Sequence, residues 1–271
     1  NPVTPGNYED GYFVVNEGNF NSGNGSISFV TNSNEVENNI FEIVNDALLG
    51  DVVQSMSIID ELAYIVVNGS SKIWVTSIDS MIYNTSISEV MSPSFIVKAN
   101  ENKAYVTDWS TNSLAVIDLT THKLVSNITT GLGPDRLLVA NDYAYVCNLG
   151  GYGIDSTVTI VNTLTDIVEQ TVVVGDRPNS IQTDASGAVW LLCEGSVVYN
   201  DDWTAIVSET AGRLVKLVNN TVAASYNLNL GDHPTSLVID TESNTLFFSN
   251  GSWSKSVYSF DISTETFSDN M

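Results

Sequence analysis

The side chains best suited to metal binding or nucleophilic work are two histidines, His122 and His233, and two cysteines, Cys147 and Cys193. Neither pair has metal-ligand spacing, and each cysteine closes an apolar run (Ala144 to Cys147, Val189 to Cys193), where an inert buried thiol is expected. No Gly-x-Ser-x-Gly elbow and no phosphate loop occurs, so no catalytic set is assigned. Acidic residues Glu17, Asp108, Asp155, Glu194, Asp201 and Asp202 leave open a calcium site of the kind that supports lactonase-type hydrolysis, because calcium takes oxygen ligands. Stronger is the supply of aromatics in loop-like stretches: Phe20, Trp109, Tyr152, Trp203 and Trp253, with the amide of Asn16 beside them. Flat rings and short amides suit a rigid, mostly uncharged ligand, a sugar, a macrocycle or a protein loop. Arg136 and Arg177, with His233, sit in Pro-containing turns, where they can meet ligand oxygens or pair with Asp135, Asp176 and Asp232.

Charge narrows the partners. With 9 basic against 32 acidic residues and a formal net charge of -23, the chain repels phosphate backbones and bare anionic membranes. No apolar stretch approaches the ~20 residues of a membrane-spanning helix. Trp74 and Trp190 lie inside strand-like runs and read as core.

The elements that must position these residues are set by a repeat. A turn ending in proline leads into a short aliphatic strand at Pro93, Pro134, Pro178 and Pro234, and in the last three copies a glycine stands three residues earlier. About eight residues on comes a second apolar run, as in Ala104 to Thr107 and Ala144 to Cys147. A third follows a polar loop (Ser113 to Asp118, Thr157 to Asn162), then a fourth. Four strands in roughly 40 residues, recurring, is the signature of an all-β β-propeller with four-stranded antiparallel blades. Six copies are legible, near 11–54, 55–93, 94–134, 135–178, 179–234 and 235–271. Residues 1–10 read as an extended leader, and 11–271 as a single propeller domain. The first copy begins at its second strand and the last stops after its third, so a seventh blade is expected from sequence beyond this end. Loops between second and third strands share one end of the blades with the Pro turns. Blade five carries a long insertion there, Glu194 to Ala211.

The run Gly11-Tyr12-Phe13-Val14-Val15-Asn16-Glu17-Gly18-Asn19-Phe20, with Val189-Trp190-Leu191-Leu192-Cys193-Glu194-Gly195 in blade five, resembles a family of Bacteroidota surface lipoproteins. The later blades are similar to the wider surface-layer-type propellers related to YncE. The resemblance implies a lipid-anchored propeller on the outer face of the outer membrane. It also implies a non-catalytic role without a resident cofactor: capture of a small nutrient, cobalamin or another corrinoid, for a TonB-dependent transporter. A protein-interaction module of a surface complex is the alternative, and a metal-dependent hydrolase a third reading.

Overall fold

The computed structural model describes residues 8–251 and 256–268. It is an all-β, six-bladed β-propeller, and the chain divides into two compact units, Asn1–Thr129 and Thr130–Met271.

Unit one holds three blades. The first is β1 (Gly11–Asn16), β2 (Ser26–Thr31) and β3 (Val36–Glu37), followed by the short helix α1 (Ile40–Asn45). The second is β4 (Val53–Ile59), β5 (Leu62–Val67), β6 (Lys72–Ser77) and β7 (Tyr83–Ile87). The third is β8 (Pro93–Asn100), β9 (Lys103–Asp108), β10 (Ser113–Asp118) and β11 (Lys123–Thr129). Each sheet is a simple antiparallel meander. The middle strands, such as Leu62–Val67 and Ser113–Asp118, are buried on both faces, which is why they read as nearly unbroken apolar runs rather than alternating ones. The leader is docked rather than free at Tyr8, whose ring is buried edge-on against Phe13 and Phe29.

Unit two repeats the plan. Blade four is β12 (Pro134–Ala140), β13 (Tyr143–Asn148), β14 (Thr157–Asn162) and β15 (Ile167–Val173). Blade five is β16 (Pro178–Thr183), β17 (Val189–Cys193), β20 (Arg213–Val218) and β21 (Thr221–Asn227). Between its second and third strands, the insertion folds as a separate hairpin, β18 (Ser196–Tyr199) and β19 (Ile206–Thr210). Blade six is β22 (Thr235–Asp240), β23 (Thr245–Asn250), β24 (Ser256–Asp261) and β25 (Thr266–Phe267). The sequence predicts that this blade stops at its third strand; instead Thr266–Phe267 pairs with Phe260 and Asp261 to make a fourth. A two-residue strand is too short to register as an apolar run.

Two repeated side chains tie blades together within each unit. The tyrosine of the second strand reaches the far turn of the next blade: Tyr64 to His122, and Tyr145 to Asn220 at 2.6 Å. Polar residues on first strands bond to the next blade's first strand, as Ser55 and Ser57 do to the carbonyls of Ser94 and Ile96. Asn179 and Gln182 do likewise to those of Pro234 and Leu237. Trp190 is fully buried and donates its indole N–H to Asp184 at 2.7 Å, while Trp74 packs half-buried on Phe41, so both are core as expected.

Candidate functional site

In five blades the strand that carries the apolar run ends on, or in blade two is directly followed by, an amide or carboxylate: Asn16, Asn68, Asp108, Asn148 and Asn250. Their N–H donors and the carboxylate serve the frame, while the side-chain oxygens of Asn148 and Asn250 are buried without a hydrogen-bond partner. Asn148 donates to Thr157 and Thr159, and Asn16 likewise to Ser26 and Ser28 of its own blade. Asp108 accepts the backbone N–H groups of Met91 and Ser92 that lead into β8. In blade five the equivalent position, opposite Pro178, is Cys193, which can do none of this. Both cysteines are free and buried, and burial pushes their thiols up, Cys193 to about 12 and Cys147 well above the ordinary range. Such thiols are neither nucleophiles nor ligands.

With the amide gone, other groups hold blade five's insertion. Asp176, in the turn before β16, accepts hydroxyls from Ser156, Ser196 and Thr210 at 2.5, 3.0 and 2.7 Å. Burial works to raise its carboxyl, but the three hydroxyls and nearby Arg213 prevail and lower it. The backbone N–H of Gly195 bonds to the Asp176 carbonyl, and that of Glu194 to the Arg177 carbonyl. Higher up, Glu209 of β19 meets His233 at 3.1 Å. At the tip, Asn200 closes the turn by accepting from Thr204 and Ala205, and the Tyr199 and Trp203 rings stack with centroids 5.5 Å apart.

Blade four supplies the facing wall. Its loop after β13 is held by Asp155, which accepts the Leu132 N–H and both the N–H and hydroxyl of Thr157. Gly150 makes the bend at φ +105, where a Cβ would lie 2.6 Å from the Asp155 nitrogen. The loop lifts Tyr152 almost wholly into solvent, at 99% exposure.

Between these walls lies an open cleft of about 770 Å³. Tyr152 and Ile154 line one side, Val197, Tyr199 and Trp203 the other, and Arg177, Glu194 and His233 the floor. Arg177 bonds to Glu194 at 3.1 Å and to the Gly153 carbonyl, tying floor to wall. Trp203 is 78% exposed and has a left-handed backbone (φ +58), an uncommon state for a bulky residue. A platform of two stacked rings, with a third ring in the same lining, can hold a flat or cyclic ligand by its faces.

Of the residues singled out from sequence, Tyr152, Arg177 and Trp203 are brought together here. Arg136 lies exposed on β12 outside the cleft lining. In unit one, Phe20 is exposed on a loop whose next three N–H groups are held by Asp51, Asn16 is occupied within its blade, and Trp109 is half-buried after β9. Trp253 lies outside the described residues. The pairing expected of Arg177 with Asp176 and of His233 with Asp232 does not form: their partners are Glu194 and Glu209. Asp176 and Asp232 are occupied instead by hydroxyls and by the Asn250 amide. Sequence reasoning left Tyr199 and Glu209 out of the site; the alternating run Ser196-Val197-Val198-Tyr199 and Ile206-Val207-Ser208-Glu209-Thr210 was the signal for a hairpin that would present them. Among the described residues, no group of three or more His, Cys, Asp or Glu side chains is placed to hold a metal ion.

Blades of this pattern define a β-propeller, and a cleft between blades four and five of unit two carries aromatic rings on its walls. Residues 10–271 match the model of a family described as a domain of unknown function (DUF5074), and the chain belongs to that family. No curated protein matches it in sequence. Among solved structures it is similar to a provisionally named 6-phosphogluconolactonase from Bacteroides fragilis (11% identity, TM-score 0.67, 94% of this chain and 79% of that one). It is also similar to the hydrazine synthase of Kuenenia stuttgartiensis (11%, 0.63, 74% and 60%) and to the dihydro-heme d1 dehydrogenase NirN in complex with DHE (9%, 0.64, 98% and 54%). The chain spans less than two thirds of the length of the latter two. At these identities the likeness is one of fold.

Proposed function

We propose that this protein is a non-catalytic binding propeller that captures a small nutrient in the cleft between Tyr152 and the Tyr199–Trp203 platform, with a corrinoid as the leading ligand. The observation that carries the reading is the platform itself: two stacked rings, one in a left-handed backbone and mostly exposed, over a cleft within the size range of small-molecule sites. A soluble domain gains nothing by keeping such a surface wet. Arg177 is already neutralised by Glu194, so the site favours a ligand that is largely uncharged and rich in amides. NirN, named for its dihydro-heme d1 chemistry, is a precedent for a macrocycle on a protein that shares this fold. Placement on the outer membrane by a lipid anchor, with delivery to a TonB-dependent transporter, belongs to the same proposal and rests on the sequence resemblance.

A second reading, a protein-interaction module, draws on the hairpin's outer residues Ile206 and Val207, which are 51% and 67% exposed. Titration of the protein with cobalamin, followed by tryptophan fluorescence with inner-filter correction and by calorimetry, separates the two. Saturable sub-micromolar binding that Trp203→Ala weakens supports capture. No heat and no quenching would sink the corrinoid and shift the weight to a protein partner.

A further inference from the structure

The floor of the cleft carries a hydrogen-bond donor and an acceptor side by side, each with unused capacity. Arg177 spends two of the five N–H groups of a guanidinium: Nε donates to Glu194 Oε2 at 3.1 Å, and Nη1 to the Gly153 carbonyl at 3.2 Å. Among the described residues, its remaining N–H groups meet no acceptor, and Glu194 Oε1 meets no donor. Both side chains belong to the cleft lining, and with 29% and 31% of their surface exposed neither is sealed into the frame. The two are also fixed through the main chain. Arg177 has a left-handed backbone (φ +54), and its carbonyl accepts the Glu194 N–H at 3.0 Å. The pair is thus set before any ligand arrives.

The geometry points to Arg177 and Glu194 as specificity-determining residues that read a primary carboxamide on the ligand. A spare guanidinium N–H donates to the carboxamide oxygen, and Glu194 Oε1 accepts from its NH2. The inference rests on the cleft being a small-molecule site, as proposed above, and names the group that its floor selects. A carboxamide presents an acceptor and a donor on adjacent atoms, so it meets both residues at once. A carboxylate presents acceptors only and sets a second negative charge beside Glu194. Asp201 in the same lining and the formal net charge of -23 add to that repulsion. An ester or ketone can take the Arg177 donor. It leaves the Glu194 oxygen without a hydrogen bond once a bound ring displaces water from the floor, and an unmet charged acceptor is the costlier outcome. With the Tyr199–Trp203 platform holding a ring by its face, the ligand class is a flat or cyclic molecule with a carboxamide at its edge.

Three pyridines of one size test the floor: nicotinamide, 3-acetylpyridine, which lacks the NH2, and nicotinate, which replaces it by a charged oxygen. Their binding to wild type is followed by ligand-observed NMR near neutral pH. Nicotinamide should bind about five-fold more tightly than 3-acetylpyridine and about ten-fold more tightly than nicotinate, in keeping with one hydrogen bond to a charged group and one added repulsion. Glu194→Gln is the sharper variant. It removes the repelling charge and leaves the Arg177 cation without its counter-ion, so nicotinate should overtake nicotinamide. A Glu194 that only propped the loop would weaken all three ligands alike when replaced. Equal binding of the three by wild type, no binding of any of them, or an unchanged order in a folded Glu194→Gln overturns the inference; should that variant not fold, the wild-type order decides. A cobalamin titration that fails while the wild-type order holds would overturn only the corrinoid reading. Cobalamin binding that holds while the order fails would overturn the role of the floor and leave capture standing.

Discussion

Blades four and five share four strands and a proline-led first strand, yet fill the span between second and third strands by opposite means. Blade four keeps Asn148, and its loop is held by one carboxylate, Asp155, acting on N–H groups and a hydroxyl fixed by the frame. Blade five has Cys193 at the matching position, and its longer insertion leans on hydroxyls of its own, Ser196 and Thr210, and on the Glu209–His233 contact. The first design makes a wall carrying one ring, and the second a hairpin wall carrying two. Between these two blades the variation falls where the second strand ends, and the loss of one frame amide coincides with the gain of a hairpin that lines the cleft.

The largest expected effect comes from removing the hairpin's base. Asp176→Ala should destabilise unit two by about 2–3 kcal/mol in urea unfolding, because three hydroxyls lose a charged acceptor. It should also expose sites within 196–210 to limited proteolysis. The same group gives a pH signature. Its carboxyl is lowered in the fold, so its contribution is whole above the ordinary aspartate value of about 3.9 and fades as pH falls below it. Asp176→Ala should therefore flatten the acid limb of the stability profile. A variant that unfolds like wild type and keeps that limb would show that the hairpin's base does not depend on this carboxylate.

Next in size is the division of binding between the two walls. Truncating Trp203 should weaken the ligand by about 1.4 kcal/mol or more, a tenfold loss, as for an anchor ring in a cleft. Tyr152→Ala should cost less, since that ring is 99% exposed and has more freedom to lose on binding than the stacked Trp203. Equal losses in the two variants would erase the contrast between a preformed platform and a single flap.

Much of this was legible in sequence because repeats average out local ambiguity. Proline turns and apolar second strands such as Ala104 to Thr107 and Ala144 to Cys147 gave six copies and their strand order, while the seventh blade expected beyond them is not needed for the six-bladed propeller. The second-strand tyrosine's role as a strut was hidden, since its acceptor belongs to the next blade and lies far along the chain. The site was half legible. An exposed tryptophan in a long polar insertion draws notice by composition, so Trp203 stood out, as did Tyr152 in its glycine-rich loop. Asn16 stood out for the wrong reason: an amide ending a strand reads as a ligand group until its repeats show it to be part of the frame. Arg177 and His233 both line the cleft, but their partners are not the adjacent acids expected from sequence. Their adjacent aspartates turn to the frame, and the true partners Glu194 and Glu209 come from the insertion, where alternating runs give a hairpin but not which acid meets which cation.

The smallest effect tests whether the platform is held under strain. At φ +58 a bulky residue costs roughly 1–2 kcal/mol relative to glycine, and the Tyr199 stack returns about 0.5–1.5 kcal/mol. Trp203→Ala removes the stack but keeps a Cβ in the unfavourable region, so it should lose stability by several tenths of a kcal/mol. Trp203→Gly removes both stack and strain, and should equal or slightly exceed wild type. Glycine should thus be more stable than alanine at this site by about 1 kcal/mol, the reverse of their order in a helix, measured as a difference in urea midpoint at constant slope. Both variants lose the ring, so both should bind ligand equally poorly. If alanine proves as stable as glycine, the turn relaxes without its tryptophan, and the platform of blade five is no more preformed than the loop of blade four.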